Sequence, residues 1–327
     1  MRKQVRENRY GRLPQLRIAG AVGLVLALAA CSGGAATGHG SPSPSRAPGT
    51  TGPTAVGAGS PSAQTTPGGS PVHISSLESD GGVYGVGMPI VLYLNKPITD
   101  ATSFAKDAVV TVNGAPAGGA WYFEKSGKAG QALEAHYRPQ TYWPAHASIK
   151  LSAPLQGVSA GKGMTYDDDF SLSISTGPAN ISYVDGNTHK ITVTTDGRTY
   201  GVFPVSLGAL ATPTLTGTKV IMEKDRNERM IGSGYNEIVP WSMRLTNSGE
   251  YLHAAAWNIA NIGYRNTSNA CTNLLPADAE KLWNFLQIGD VVLYANTGGF
   301  ATPVYDGYGD WNVPWSNWQA GGALTTS

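Results

Sequence analysis

Apolar and polar positions alternate in two ways along this chain. From Val72 to about Gly177, short β-prone runs are separated by turn residues. The clearest are Ile90-Val-Leu-Tyr-Leu94, Val109-Val-Thr-Val112, Trp121-Tyr-Phe123, Ile149-Lys-Leu151 and Phe170-Ser-Leu-Ser-Ile174. Asn113-Gly114 supplies a hairpin turn, and residues 156–163 form a glycine-rich break. Roughly seven short strands in this span, with no helical period, predict two packed antiparallel sheets. Beyond Pro178 the runs Ile181–Val184, Lys190–Thr194 and Tyr200–Phe203 read as further strands, joined at Asp185-Gly186-Asn187 and Asp196-Gly197.

One later segment breaks the β pattern. Pro276 stands at a first helical position, and Ala279, Leu282, Trp283 and Leu286 fall at i, i+3, i+4 and i+7. Gly289 supplies a stop, and the strand Val291-Val-Leu-Tyr294 follows. The expected fold is therefore mostly β: an immunoglobulin-like β-sandwich, then a β-rich domain with one short helix directly after the second cysteine. A Trp-rich C-terminal segment closes the chain. The corresponding boundaries are 72–177, 178–299 and 300–327.

The first 71 residues follow neither pattern. Residues 1–17 hold Arg2, Lys3, Arg6, Arg9, Arg12 and Arg17 against the single acid Glu7, and an uncharged apolar run follows from Ile18 to Ala30. A basic head, a short apolar stretch and small residues before a break describe a secretory signal peptide over residues 1–30. The run is shorter than the ~20 residues a membrane-spanning helix requires. Residues 32–71 are Ser, Gly, Pro, Ala and Thr almost throughout, with Arg46 the only charged side chain. Such a segment buries too little apolar area to offset its ordering entropy, and residues 31–71 read as a tether.

Composition sharpens this picture. Glycine and proline make up 42 and 21 of 327 residues, too many for a helix bundle. Charged residues are only 14% and the formal charge is +1, which argues against a nucleic-acid binder. The basic excess belongs to residues 1–30, whose removal leaves a net −4. Two cysteines exclude a disulfide-dense scaffold and a four-thiolate zinc site. Asp167-Asp168-Asp169 lacks the spaced oxygen ligands of a calcium loop and reads as a solvated strand end. His136 and His146 have no cysteine or carboxylate at ligand spacing and are assigned to packing or the surface.

Cys31 ends the apolar run and lies across the tether from Cys271, which leaves Cys271 as a lone thiol in an exported chain. A nucleophilic thiol needs a base within hydrogen-bond reach. After His189 the only histidine is His253, eighteen positions before Cys271, so the candidate base is unique; on composition alone the alternative is a buried inert cysteine beside an unrelated histidine.

The residues around this pair carry a resemblance. Gly249-Glu-Tyr-Leu-His253-Ala-Ala-Ala-Trp257, followed by Asn266-Thr-Ser-Asn-Ala-Cys271-Thr-Asn273-Leu, is similar to the L,D-transpeptidase (YkuD) family, whose signature is a histidine, a short gap, then Ser/Thr-His-Gly-Cys-x-Asn. Similar stretches include Met222-Glu-Lys, Gly234-Tyr235, Val239–Leu245 and Asp306–Trp315 with Trp318. Leu28-Ala-Ala-Cys31 resembles a bacterial lipobox, which implies a lipidated Cys31 anchored to the outer face of a membrane. The resemblance implies a peptidoglycan acyltransferase of carbapenem-sensitive type, monomeric, without metal or organic cofactor. Its partners are a tetrapeptide donor stem and a diaminopimelate acceptor. Cys271 attacks the donor, D-alanine leaves, and the thioester passes to the acceptor amine as a 3→3 cross-link. The same resemblance assigns Ala270 and Tyr235 to the oxyanion, Ser268, Asn269 and Asn273 to the cysteine loop, Met222 and Trp257 to the substrate cleft, and the Ala254 carbonyl to the imidazole.

Two departures stand in the motif: Asn269-Ala270 replaces His-Gly. Asn carries no proton at neutral pH, and Ala at a positive φ is strained by roughly 1 kcal/mol. Two alternatives follow, a wall-binding lipoprotein with an impaired centre, and an L,D-carboxypeptidase in which water replaces the acceptor amine.

Overall fold

The computed structural model describes residues 69–232 and 235–326. The signal-peptide, lipidation and tether readings lie outside the described residues. Among those described there are three short α-helices, and no helix is long and apolar enough to cross a membrane.

The first half is a sandwich. One sheet orders Val83–Tyr84, Phe170–Thr176, Ser148–Ala153, Val109–Val112 and Ala115–Pro116; the facing sheet orders Ile74–Ser76, Ile90–Leu94, Leu133–Arg138 and Ala120–Lys125. Strict alternation sets the register of Ser148–Ala153, where Ile149, Leu151 and Ala153 point inward between exposed neighbours. Phe104, from the helix Thr102–Asp107, plugs the core edge-on against Trp121 at 5.0 Å and Phe123 at 5.5 Å. That helix and the strand Leu133–Arg138 escape the hydrophobic pattern because polar residues interrupt both.

Ile90–Leu94 is buried at every position. Ile90, Leu92 and Leu94 face the sandwich core, while Val91 and Tyr93 pack outward on Val220 and Tyr308 of the second half. A continuous apolar run thus marks a strand covered on both faces. At the same junction, Gly87 N–H donates to the Gly289 carbonyl at 2.9 Å and Gly85 N–H to Ile288 at 2.8 Å. A Cβ on Gly85 would collide with the Gly289–Asp290 backbone, and Gly289 has φ +93. The helix Pro276–Phe285 ends at Leu286, whose extended backbone turns the chain out three residues before the expected stop, and Gly289 instead admits the neighbouring chain.

The second half is one nine-stranded sheet, ordered Gly217–Val220, Val291–Ala295, Asn180–Asp185, Lys190–Thr195, Arg198–Ser206, Thr272–Leu274, Tyr251–Ala254, Tyr235–Arg244 and Glu223–Gly232. Its outermost pair is a long hairpin, ten residues a side, that the sequence pattern does not reveal. Charged residues dilute its alternation, and Pro240 stands inside it.

The C-terminal segment ties the halves together. Trp318 is fully buried, stacks on Tyr122 at 4.6 Å and donates its indole N–H to Ala120 at 2.9 Å. The Arg138 guanidinium sits among Trp311, Trp315 and Trp318 at 4.8, 5.3 and 4.4 Å and donates to the Val313 carbonyl. Gly321 and Ala323 extend the pairing along Phe123.

His136 corrects the sequence reading. It is fully buried, and carboxylates do surround it: Glu134 two residues before, Glu124 on the paired strand and Asp310 from the C-terminal segment. Linear spacing misses a cross-strand and a long-range partner. His146 is exposed beside Asp196, and Asp167–Asp169 are exposed at the end of a strand pairing, as expected.

Candidate active site

Two parallel strands bring the chemistry together. Tyr251–Ala254 pairs with Thr272–Leu274 in the register His253↔Asn273, so Cys271 leaves its loop just where the histidine strand runs alongside. His253, Cys271, Trp257, Ser268, Asn269 and Asn273 all line one cavity of about 440 Å³. Met230, Glu237 and Val239 of the long hairpin form another of its walls. Asn258, Asn261 and Thr267 add polar edges. None of these six was assigned a site role from sequence, although Val239 and Thr267 fall in the stretches that carry the resemblance; recognising the hairpin would have pointed to the first three.

The loop before Cys271 is clamped at each step. Ser268 Oγ donates to the Cys271 carbonyl at 2.5 Å, and its own N–H reaches Leu207 at 3.0 Å. Thr214 Oγ1 donates to the Ala270 carbonyl at 2.7 Å, and Thr212 Oγ1 to Ser268 at 3.1 Å. Thr212 and Thr214 were not legible as site residues, because they come from a segment far from Cys271 in sequence. Ala270 has φ +72, the left-handed conformation for which glycine is the unstrained residue.

His253 Nδ1 lies 2.9 Å from the Ala254 carbonyl. A carbonyl only accepts, so Nδ1 carries the proton and Nε2 keeps its lone pair. Trp257 stacks on the imidazole at 5.8 Å while 60% exposed. Burial pulls the imidazole down to about 4 against the opposing effect of the Ala254 carbonyl. Burial likewise pushes the Cys271 thiol up to about 11, with the Tyr251 backbone N–H drawing it partly back. The thiol itself points to the Gly249 carbonyl, 3.7 Å away. The resting site is thus a neutral thiol beside a neutral imidazole.

Behind the thiol lies a buried ion pair, Lys219 with Glu250, which acts on it with opposite signs. Burial lowers the lysine and raises the glutamate, and each holds its partner charged. Asn273 Oδ1 is buried on the cavity wall without a partner among the described residues. A second cavity of about 450 Å³ opens on the other side of the cysteine loop, lined by Ser248, Gly249, Ala270 and Tyr305, and Asn269 belongs to both.

Two expected residues fall elsewhere or outside view. Met222 does not line the cysteine cavity; it faces a larger one of about 990 Å³ beside Tyr93 and Tyr308, where the halves meet. The turn at Gly307 comes close against its sulfur. Tyr235 occupies the first position of its strand opposite Gly232, and its side chain lies outside the described residues.

Comparison with known proteins agrees with this geometry. Residues 179–293 match the family described as L,D-transpeptidase catalytic domain (YkuD), and residues 54–159 match a bacterial Ig domain. The chain is 31% identical over 267 residues to L,D-transpeptidase 2 of Mycobacterium tuberculosis (strain CDC 1551 / Oshkosh), covering 78% of this chain and 64% of that one. It is 28% identical to L,D-transpeptidase 5 of Mycobacterium tuberculosis (strain ATCC 25618 / H37Rv), covering 75% and 55%. It therefore spans less than two thirds of the length of either. Among solved structures, an L,D-transpeptidase from Mycobacterium smegmatis superposes with a TM-score of 0.55 at 26% identity, covering 69% of this chain and 100% of the other. An L,D-transpeptidase in complex with imipenem superposes with a TM-score of 0.56 at 25% identity, covering 70% and 99%.

Proposed function

Residues 179–293 are an L,D-transpeptidase catalytic domain of the YkuD type, carried behind a bacterial Ig domain, and from that premise we propose that this chain cross-links peptidoglycan stem peptides through a Cys271 thioester. The observation that carries the proposal is the shared cavity: Cys271 and His253 line it together, with Nδ1–H committed to Ala254 and Nε2 left as base.

The chemistry divides one acyl exchange into two. Cys271 Sγ attacks the carbonyl at the L-centre of diaminopimelate in a tetrapeptide stem, and its proton passes to His253 Nε2. The tetrahedral oxyanion is received by backbone N–H groups around Ala270 and Cys271, aligned by the Ser268 and Thr214 clamps. Collapse breaks the amide bond, the proton moves from Nε2 to the departing D-alanine amine, and a thioester remains. The acceptor's side-chain amine then attacks the thioester, gives its proton to His253, and a 3→3 link forms as the thiol is released. Cavities on both sides of the cysteine loop support entry of donor and acceptor by separate routes. With Cys31 lipidated, the tether places this reaction at the outer face of the membrane, against the wall.

A second reading is favoured by Ala270. Its left-handed conformation strains the loop that presents the oxyanion donors, and a misplaced donor costs about 10²–10³ in rate. On that reading the cleft binds stem peptides with little turnover. A carbapenem separates the two: incubation of the purified protein is expected to add one drug mass, and the adduct is expected to vanish in Cys271→Ala. Absence of an adduct in the unaltered chain between about pH 6 and 9 decides for binding alone.

A further inference from the structure

The cluster around His136 has the chemistry of a metal site, far from the cysteine. Glu124 and Glu134 are direct cross-strand partners on Ala120–Lys125 and Leu133–Arg138, and His136 lies two positions along the same face. Like charges placed directly opposite each other destabilise a strand pair, and here both carboxylates are largely buried. The arrangement favours a cation between them.

The details fit a bound ion. His136 Nδ1 lies 3.0 and 3.2 Å from the two carboxylate oxygens of Asp310, which fixes the ring and directs Nε2 at the glutamates. A carboxylate behind a ligating histidine is the usual outer partner of such sites. Nε2 stands 3.2 Å from Glu134 Oε2 and 3.7 Å from Glu124 Oε1. Ligands about 2.0–2.1 Å from a tetrahedral zinc ion are separated by roughly 3.3 Å. Glu134 Oε1 is already held by Ser126 Oγ at 2.7 Å, which leaves Oε2 to face His136 Nε2. Glu124 Oε2 is buried with no hydrogen-bond partner among the described residues. One ligand atom from each of the three residues lies within 4.8 Å of the others.

We propose that Glu124, Glu134 and His136 bind a divalent transition-metal ion of the zinc type, with Asp310 orienting the imidazole. The fourth position takes a water from the 990 Å³ cavity that both glutamates line. One nitrogen with two carboxylate oxygens suits zinc or cobalt better than calcium or magnesium. Because Glu124, Glu134 and His136 come from the sandwich and Asp310 from the C-terminal segment, the ion braces the strap that joins the two halves.

The test is zinc titration of the metal-stripped full chain at about pH 8, where protons compete least for the ligands. One Zn²⁺ per chain at micromolar affinity or better is expected, with Tm raised by roughly 5 °C or more at saturation. Glu124→Gln keeps the side-chain shape, so the variant is expected to fold with an unchanged metal-free Tm and to bind zinc at least tenfold more weakly. Asp310→Asn is expected to weaken binding roughly 10- to 100-fold. Cobalt is expected to give a visible ligand-field band without thiolate charge transfer, and Cys271→Ala to leave the stoichiometry intact. No stoichiometric zinc, zinc retained equally by Glu124→Gln, or zinc lost in Cys271→Ala would each overturn the proposal.

Discussion

Cys271 and His253 rest as a neutral pair because both are buried, the thiol pushed up to about 11 and the imidazole down to about 4. On the proposed mechanism, attack begins from thiol and lone pair, with the sulfur turning from the Gly249 carbonyl to Nε2. The sign of the pH dependence follows. His253 must be unprotonated to act as base, so the second-order rate of carbapenem acylation is lost as pH falls through about 4. Between about pH 6 and 9 it is expected to stay flat, since neither group titrates there. Acylation rates across buffers check this, and an acid midpoint above 6 would mean that burial does not pull the imidazole down in the working enzyme. At this scale the sequence was informative about identity: a lone thiol, a single histidine eighteen positions before it and their flanking residues marked the site. It was uninformative about state, because burial and the Gly249 and Ala254 carbonyls are set by the fold. Met222 shows the same limit, being close to the motif by resemblance yet turned to the other cavity.

The cysteine loop is the element on which the proposed chemistry depends, and it is both clamped and strained. Ser268 and Thr214 fix its carbonyls while Ala270 holds φ +72. Glycine at this position relieves roughly 1 kcal/mol, partly offset by its greater freedom in the unfolded chain. Ala270→Gly is expected to raise Tm by roughly 1–3 °C and to accelerate acylation. A slower variant with unchanged Tm would mean that the loop is already in its working geometry. Elements with a clean period were legible: the helix Pro276–Phe285, marked by its first proline and its apolar spacing, and the strand Ser148–Ala153, marked by alternation. The long hairpin was not, since charged residues dominate Glu223–Gly232 and Pro240 sits inside the short apolar alternation of Val239, Trp241 and Met243. The helix Thr102–Asp107 was hidden for a related reason, burying only Phe104.

Across the whole molecule, the C-terminal segment makes the sandwich and the catalytic sheet one structural unit. Trp318 fills the centre of that strap, wholly buried between Tyr122 and Arg138. Trp318→Ala removes a large buried ring and unpairs the Ala120 carbonyl, at a cost of about 3–5 kcal/mol. Calorimetry is expected to show Tm lowered by roughly 10 °C. Loss confined to a separate, early transition of the sandwich would instead mean that the halves fold independently. The architecture bears on the proposed function because the cysteine cleft is then held at a fixed position relative to the sandwich.

The most direct test of the proposed chemistry uses the natural donor. Purified protein incubated with a disaccharide-tetrapeptide is expected to form an acyl-enzyme lighter than the bound donor by one D-alanine, followed by a 3→3-linked dimer, and neither product with Cys271→Ala. Tripeptide accumulating without dimer would identify a hydrolase. Intact tetrapeptide with no mass added to Cys271 would contradict the account.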